Sequence, residues 1–425
     1  MEDMIEKRVL VLSNNCFSLS NSNGRTLGNL FYGWPKENLA QFCVIAKDPN
    51  WDICNNYYCL EDKSVLKSFL CFKKAVGRKL NPNVTNVPTD TKNIKMSKKT
   101  LGKVLLREFV WCGKRWNSCD FLEWVTDFNP DVLVLQFGDS VFMINMAYHI
   151  SQELNIPIVI YNTEGYYFFT RNWYHSAWYD FFLFKIYRKV YRNAVKKLMS
   201  LVAHSVFLND KLKEDYDKEF NVSSSVIYNS SSISQVQIRD MNLPTPRVSY
   251  LGNLDLYRDE AIIEVAEVLQ EINPSLQIDV YGKANNLMIK HFQETPGVAY
   301  HGFVTYDDVV KIIDQSDIIF HVETERGNKE WQLQYAFTTK IADSVSSGRC
   351  FVVYAPKDLA CSQYVDLHKC GCVASNKEEL KSVLESIIYN KSERDMIIRN
   401  SLMIAKQNHN LFANAKLFQS IIVSV

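Results

Sequence analysis

The chain contains 425 residues, of which 47% are hydrophobic and 22% carry a charge, and its formal net charge at pH 7 is +1. This composition is that of a globular protein, and the nearly neutral charge excludes the strongly basic chain that would make nucleic acid an expected partner. The length exceeds what one compact core usually holds, so we expect two domains. No segment reaches the roughly 18 uncharged apolar residues of a membrane-spanning helix. The 11 cysteines lack a disulfide framework and residues 1–12 lack the pattern of a signal peptide, which together predict a cytoplasmic protein.

Basic and aromatic side chains are concentrated in two segments of the first half. Residues 61–120 contain 14 Lys or Arg against 5 Asp or Glu, and the 13 aromatic residues between positions 166 and 191 are mixed with basic residues as far as residue 197. The basic segment 61–120 could face anionic lipid headgroups, and the aromatic and basic residues mixed at helical spacing in 166–197 suit an interfacial helix or an apolar acceptor groove, so we predict peripheral contact with the inner face of a membrane through 61–120 and 166–197. A solvated insertion and an aromatic core between helices are the alternatives that remain open.

The first predicted strand, residues 8–12, is followed by a polar segment that contains Gly24. A continuous apolar run of this kind indicates a strand buried on both faces of a parallel sheet. The next helix is predicted at 27–32, so Gly24 would lie in a turn at a helix start and could hold phosphate or sugar oxygens close to the backbone. A plain glycine turn explains the same residues, because the Gly-x-Gly-x-x-Gly fingerprint is missing.

Strands and helices then alternate in the order of a doubly wound parallel sheet. Strands are predicted at 132–137 and 156–161, with a helix at 141–154 between them. Ligands of such sheets bind at the carboxyl ends of the strands. Asp139 and Glu164 come shortly after the two strands, so both are candidate site residues.

A Ser-rich segment, residues 223–247, is predicted to link two domains. The first domain is placed at 1–240, with the basic insertion near 61–120. The second domain is placed at 245–395, and the end of the chain, 396–425, is predicted to form a helix that packs back on the first domain.

The second domain repeats the alternation and has polar or glycine residues after its strands. Asn253 follows a strand at 248–251, and Arg258 comes at the start of the next helix. Gly282 follows a strand at 276–281. These are the strand ends at which a nucleotide would bind in such a sheet.

The stretch 335–354 combines a polar loop, a short helix and a buried strand. An anion at the start of the helix would meet backbone N–H groups and the full charge of Lys340. Asp343, one turn further on, could accept hydrogen bonds from sugar hydroxyls. The combination suits a nucleoside diphosphate, although an ordinary amphipathic helix is the alternative. The loop residues predicted to bind the donor are Phe337, Thr338 and Thr339.

One cluster has the residue types of a metal site, and we interpret it differently. His368, Cys370 and Cys372 lie close together without a second set of ligands elsewhere, which makes a poor zinc site. A turn into a cysteine-containing strand explains them better. We therefore predict no metal ion and no other cofactor.

The order of these motifs resembles the GT-B glycosyltransferases, and most closely the retaining group that includes glycosyltransferase family 4, in particular bacterial members from surface-polysaccharide loci. The resemblance covers nearly the whole chain. It implies two doubly wound Rossmann-like α/β domains that face a cleft, with a nucleotide-sugar donor on the second domain and an acceptor on the first. The residues that carry it are, in order, Gly252-Asn253, Gly282, His301-Gly302-Phe303, Asp317-Ile318 and the segment 337–348.

The resemblance also implies roles for individual residues. The family usually has two Glu residues eight positions apart around a Gly-Phe-Gly type turn; here Asp343 occupies the later position, which binds the ribose hydroxyls, and Tyr335 the earlier. The family's Arg and Lys for the donor diphosphate correspond to Asn253 and Arg258. Lys340 would replace the missing cation.

In the first domain, Gly24 resembles the family's glycine loop, and Gln136 and Asp139 occupy the region in which the family often has a His. The activity implied is hexosyl transfer with retention from a nucleotide-sugar to a glycan or lipid-linked acceptor, in surface polysaccharide biosynthesis and without an obligatory metal. Arg258, Lys340 and backbone N–H groups would stabilise the leaving diphosphate, which itself helps to deprotonate the acceptor. The alternatives are a nucleotide-sugar epimerase on the same fold and a non-catalytic protein that binds a nucleotide-sugar or a membrane.

Overall fold

The computed structural model describes residues 7–82, 100–174, 180–231, 233, 238–326 and 330–425. The chain divides into two compact units. The first unit ends at Ile227 and also contains Ala415–Val425, and the second unit is Tyr228–Asn414. Each unit is built around its own parallel or mainly parallel sheet.

The described part of the first unit contains eight strands in a single sheet. They are β1 (Val9–Asn15), β2 (Leu39–Ile45), β3 (Asn56–Cys59), β4 (Arg78–Lys79), β5 (Val132–Phe137), β6 (Ile158–Asn162), β7 (Val202–Phe207) and β8 (Ser224–Val226). The spatial order is β4-β3-β2-β1-β5-β6-β7-β8, and only the short β4 is antiparallel to its neighbour. The order changes direction between β1 and β5, which is where doubly wound sheets open a crevice for ligands.

The helices of the first unit connect these strands and cover the sheet. They are α1 (Ser22–Leu30), α2 (Asp62–Leu70), α3 (Leu101–Trp111), α4 (Cys119–Phe128), α5 (Val141–Leu154), α6 (Asp180–Met199) and α7 (Asp210–Glu219), with a 3₁₀ turn at Lys36–Asn38. The central strands are buried on both faces, as their continuous apolar sequences require.

Among its described residues the second unit has six strands, all parallel, in the order β11-β10-β9-β12-β13-β14. They are β9 (Val248–Leu251), β10 (Ile278–Tyr281), β11 (Val298–Gly302), β12 (Ile318–Val322), β13 (Cys350–Tyr354) and β14 (Cys372–Ala374). The helices are α8 (Arg258–Ile272), α9 (Asn286–Glu294), α10 (Tyr306–Gln315), α11 (Glu330–Leu333), α12 (Thr339–Val345), α13 (Ala360–His368), α14 (Lys377–Tyr389) and α15 (Lys391–Asn408). The change of direction here lies between β9 and β12.

The predicted fold class, two doubly wound Rossmann-like domains, is confirmed by these two sheets. Three local predictions were wrong or incomplete. Helix α1 begins at Ser22, so Gly24 lies within the helix and not in a turn before it. The basic segment 61–120, of which residues 83–99 lie outside the described part, contains α2 and α3. The Ser-rich segment 223–247 contains the edge strand β8.

The missed elements have a common physical explanation. Helices α2 and α3 carry apolar side chains on their exposed faces as well as on their buried ones, which blurs the helical period. Strand β8 is polar and is defined by its backbone pairing with β7, which leaves no apolar pattern in the sequence.

A last helix, α16 (Leu411–Ser424), ends the chain. Its side chains Phe418, Ile421 and Ile422 belong to the core cluster that contains β1. The ring of Phe418 contacts that of Phe31 edge to face, with 5.3 Å between ring centroids. The end of the chain therefore contributes to the core of the first unit.

We predict that Phe418→Ala lowers the free energy of unfolding of the first unit by about 3–5 kcal/mol, because it removes a fully buried aromatic ring and leaves a cavity. The neighbouring Leu417 is 45% exposed, so Leu417→Ala should change stability by less than about 1 kcal/mol. Urea unfolding followed by fluorescence measures both. Equal losses for the two variants would show that α16 is not part of this core.

Candidate functional site

A buried ion pair joins α8 to the carboxyl end of β12. Glu323 follows β12 directly, and Arg258 is the first residue of α8. The Arg258 Nε and Nη2 atoms donate to Glu323 Oε2 and Oε1 at 2.8 and 2.7 Å, a bidentate contact. Burial disfavours the charged carboxylate, but His321 and Arg258 hold the pKa of Glu323 below its ordinary value. Arg258 is therefore fixed in position by a carboxylate that the sequence analysis did not identify.

Lys340 lies beside this pair, on the first turn of α12. The Lys340 side chain is half-buried, and this partial burial, together with the charge of Arg258, lowers the pKa of its ammonium group to about 8. Within the described residues, no side chain or carbonyl accepts a hydrogen bond from Lys340. A Cβ atom placed on Gly252 would lie 2.9 Å from Lys340 Nζ, so the glycine at the end of β9 leaves room for the ammonium group.

Two further polar groups near this cluster lack hydrogen-bond partners among the described residues. The first is Nε2 of His321, whose side chain is buried. This atom lies 3.4 Å from Glu323 Oε1, but the two atoms are not oriented for a hydrogen bond. The buried Thr338 hydroxyl, just before α12, also has no partner. An enclosed ammonium group and unpaired polar atoms are costly unless a polar ligand satisfies them.

The predicted ribose contact, Asp343, lies one helical turn after Lys340. It is buried, and one carboxylate oxygen accepts a hydrogen bond from the Ser231 hydroxyl at 2.8 Å. The preceding loop is fixed by Asn229, whose side-chain amide donates to the Phe337 carbonyl at 3.2 Å. The structure thus brings Arg258, Lys340 and Asp343 into one region.

The other predicted donor residues have identifiable structural roles. A Cβ on Gly282 would lie 2.1 Å from the Gly252 carbonyl oxygen, so Gly282 permits two strand ends to touch. The Asn253 side chain accepts from the Asp255 N–H at 3.0 Å and stabilises the turn before α8. Thr339 is the first residue of α12.

The first unit has a separate polar cavity of 430 Å³ at the carboxyl ends of β1, β5 and β6. It contains the two carboxylates that the sequence singled out, Asp139 and Glu164. Glu164 is open to solvent through the cavity but surrounded by protein on its other sides, and this enclosure together with the charge of Asp139 raises its pKa to about 7. Asp139 accepts a hydrogen bond from the Tyr174 hydroxyl at 2.9 Å, and the Tyr187 hydroxyl donates to its carbonyl.

The same cavity contains a cation that the sequence analysis did not select. Arg107 of α3 donates to Asp62 at 2.8 Å, to the Ser140 hydroxyl at 3.1 Å and to the Asn14 side chain at 3.2 Å. The residues around it are mostly amides and carboxylates, namely Asn14, Asn15, Asn23, Asp62, Gln136, Asp139 and Glu164. Side chains of these types can both donate to and accept from sugar hydroxyls.

Gly24 does not line this cavity with a free N–H group. Its amide donates to the Asn21 side chain at 3.1 Å, which caps α1. A Cβ at this position would lie 2.3 Å from the Cys16 carbonyl oxygen. Gly24 therefore permits close packing of α1 against the loop after β1.

The described residues contain no group of three or more His, Cys, Asp or Glu side chains arranged to hold a metal ion. Cys372 is the first residue of β14, in keeping with a turn into a strand. In the same described part of the chain, none of the helices has the length and apolar character that crossing a bilayer would need.

Comparison with known proteins gives one family match and many structural ones. Residues 258–419 match a family model described as glycosyl transferase-like. No curated protein matches the sequence. HepE of Anabaena in complex with UDP is similar in structure, with 12% identity, a TM-score of 0.62 and coverage of 98% of this chain and 100% of that one.

Two other solved structures are similar over nearly their full lengths. Sucrose-phosphate synthase from Thermosynechococcus elongatus has 10% identity and a TM-score of 0.61, and covers 99% of this chain and 100% of its own. A putative UDP-N-acetylglucosamine 2-epimerase from Listeria monocytogenes has 12% identity and a TM-score of 0.55, with 98% and 96% covered. At these identities the likeness shows the GT-B type of fold and no more.

Glu323→Gln should lower the free energy of unfolding of the second unit by about 3 kcal/mol or more, because Arg258 would stay buried without a charged partner. It should also lower the pKa of Lys340, since Glu323 is one of the charges that favour the ammonium form. Denaturant unfolding and the pH-dependent rate of amine labelling at Lys340 measure the two effects.

Glu325→Gln, two residues further on, is the matched control, because its side chain is exposed. It should leave both quantities nearly unchanged. If both variants behaved alike, the buried ion pair would not hold this region together.

Proposed function

We propose that the chain is a glycosyltransferase that uses a nucleotide-sugar donor. The match of residues 258–419 to a glycosyl transferase-like model supports the reaction class. The cations beside the carboxyl ends of β9 and β12 support a donor with a diphosphate. HepE, whose structure holds UDP, has the same fold, which makes a uridine donor the first to test.

The observation that carries the proposal is the state of Lys340. Lys340 is half-buried, and an ammonium group that lies partly out of solvent beside Arg258 without an acceptor is held less well in its charged form, which lowers its pKa. A diphosphate would supply charged acceptor oxygens to Lys340. Arg258 donates twice to Glu323 and once to the Asp255 carbonyl, whereas no described residue accepts from Lys340, so Lys340 is the cation with more donors available to a ligand.

The rest of the donor would contact neighbouring groups of the second unit. Asp343, one turn from Lys340, is assigned to the ribose hydroxyls. The unpaired Thr338 hydroxyl and the backbone of Phe337 and Thr339 are assigned to the phosphates. Gly252 keeps this space open, because a Cβ there would lie 2.5 Å from the Tyr250 hydroxyl and 2.9 Å from Lys340 Nζ.

The acceptor is assigned to the polar cavity of the first unit. Its amides and carboxylates suit a sugar, and Arg107 adds a positive charge for an anionic group on the acceptor. Glu164, with a pKa near 7, can exchange a proton with a hydroxyl at neutral pH. Asp139, held by Tyr174, would orient that hydroxyl.

The finer features of the reaction belong to the same proposal. Transfer of a hexosyl group with retention needs no protein nucleophile, because the leaving diphosphate can help to deprotonate the acceptor. Lys340, Arg258 and backbone N–H groups supply the stabilising charge in place of a metal ion. A glycan or lipid-linked acceptor fits surface polysaccharide biosynthesis, and a lipid-linked one would place the protein in the cytoplasm at the inner face of a membrane.

A nucleotide-sugar epimerase is the second candidate. The structural likeness to a putative UDP-N-acetylglucosamine 2-epimerase and the neighbouring carboxylates Asp139 and Glu164 favour it. The two activities differ in their need for an acceptor. Epimerised nucleotide-sugar, or free nucleotide and sugar product formed without acceptor and detected by NMR, would identify the epimerase.

Titration calorimetry with a panel of nucleoside diphosphates tests the donor site. Lys340→Met should weaken binding by about 1.5–3 kcal/mol, the usual value of a hydrogen bond to a charged group. Lys311→Met, which removes an exposed lysine of the same unit, should bind like the wild type. The absence of binding to every nucleoside diphosphate would refute the proposal.

Binding should also depend on pH in a defined direction. Lys340 is charged below its pKa of about 8, so affinity should be full at lower pH and should fall as the pH rises through about 8. Lys340→Arg should keep its affinity at higher pH, because arginine stays protonated. Affinity that is constant between neutral and alkaline pH would contradict the role of Lys340.

Turnover should respond to Glu164. If its carboxylate takes a proton from the acceptor, the rate should fall as the pH decreases through about 7, where Glu164 becomes protonated. Glu164→Gln should lower kcat by roughly 10²–10⁴ and remove this limb of the pH profile. The exposed Glu325 serves as a control, since Glu325→Gln should leave the profile unchanged. A profile that Glu164→Gln does not alter would assign the proton transfer to another group.

A further inference from the structure

Three neighbouring helices of the first unit, α2, α3 and α6, expose large apolar side chains. Phe72, which follows α2, is 91% exposed, and Phe181 and Phe182 at the start of α6 are 70% and 69% exposed. Leu70, Leu106 and Phe109 are more than half exposed as well. So many large apolar groups on adjacent elements mark an interaction surface and not ordinary scatter.

The three helices are neighbours that contact each other in series, α2 with α3 and α3 with α6. The Phe69 ring of α2 contacts the Phe109 ring of α3, with centroids 5.3 Å apart. Helices α3 and α6 pack together and flank a largely apolar cavity of 450 Å³, which Ile186 and Val190 line from α6. We call this side the α2–α3–α6 face.

Charge on the face is almost entirely positive. The exposed charged residues of the three helices are seven lysines and Asp62. Asp62 is bound to Arg107 at 2.8 Å, so its charge is compensated. Lys185 lies over the Phe181 ring at 4.3 Å, which shows basic and aromatic groups in direct contact. Lys189 follows one turn later on the same helix.

We propose that the α2–α3–α6 face docks on a membrane surface rich in anionic lipid. Lysine ammonium groups would contact the headgroups, and the exposed phenylalanine and leucine side chains would enter the boundary with the acyl chains. Lys196 is paired with Glu219 at 3.6 Å, and the other lysines still make the face basic. A second copy of the chain is a poor occupant, because it would bring two basic faces together. The proposal goes beyond the transferase activity, since membrane binding needs neither donor nor acceptor.

The test is co-sedimentation of the full chain with vesicles in the absence of nucleotide. Vesicles of phosphatidylglycerol and phosphatidylcholine in equal amounts should bind the wild type, and pure phosphatidylcholine vesicles should bind it at least tenfold less. Raising the salt concentration should weaken the binding, because exposed charges are screened.

Paired variants identify the face. Ile186→Ser/Lys189→Gln removes an apolar and a basic side chain three positions apart, which predicts a drop in vesicle partitioning of about thirtyfold. Leu287→Ser/Lys290→Gln makes the same changes at exposed positions of α9 in the second unit and should bind like the wild type. Circular dichroism checks that both variants are folded, and Ile186→Leu/Lys189→Arg should retain binding.

Three outcomes would overturn the proposal: a wild-type chain that stays in solution with anionic vesicles at low salt, equal losses in the two paired variants, or binding to soluble polyglutamate as tight as binding to vesicles. The last would mean that charge alone attracts acidic polymers. Each outcome is independent of nucleoside diphosphate binding, so failure of this proposal and failure of the transferase proposal can be told apart.

Discussion

The second unit depends on the contact between Arg258 and Glu323. A bidentate pair of buried charges is strongly destabilising when one partner is lost, so both residues must remain ionised for this region to keep its shape. The pair connects the first turn of α8, the helix that follows β9, to the end of β12. The strand order of the sheet changes direction between β9 and β12. The positive charge of Arg258, which lies next to Lys340, is compensated by Glu323. The charge of the Lys340 ammonium group is therefore the one that a ligand would neutralise.

The two polar regions follow from the topology of parallel sheets. Parallel strands end at the same edge, and side chains after neighbouring strands meet there although they are far apart in sequence. In the second unit this edge brings together Gly252, Glu323 and Lys340. In the first unit it brings together Asp139 and Glu164, and partial enclosure by protein together with the charge of Asp139 raises the pKa of Glu164 to about 7. One region is suited to a phosphate and the other to hydroxyl groups.

Much of the fold could be predicted because buried parallel strands have continuous apolar sequences. Strand β5 and helix α5 lie where the sequence placed them, and so does β13. Edge strand β8 could not be predicted in this way, because it is defined by backbone pairing with β7 and has no apolar pattern. Helices α2 and α3 could not be predicted either, because apolar side chains on their exposed faces obscure the helical period of hydrophobic residues. The beginning of α1 was missed because its cap, Asn21, lies in a polar run with several possible caps.

The candidate site could be assembled from the sequence only in part, for a related reason. Residue type, together with a place at a helix start or after a strand, was enough to select Lys340, Asp343 and Glu164 as candidates, and their roles stay predictions. The ion-pair partner Glu323 is 65 residues from Arg258, and Arg107 reaches its cavity from a helix in the basic insertion. Contacts over such distances depend on the packing of whole elements, so no local pattern reveals them.

We propose that Lys340 neutralises a bound diphosphate, and the pKa of its ammonium group reports on that role. Nitrogen NMR of labelled lysine side chains, with Lys340 assigned by substitution, gives this pKa with and without a saturating nucleoside diphosphate. We expect the pKa of the Lys340 ammonium group to be near 8 in the free protein. It should rise by at least about one unit when the diphosphate binds, because an adjacent anion favours the charged form. An ammonium group whose pKa is the same in the free and bound protein would contradict it.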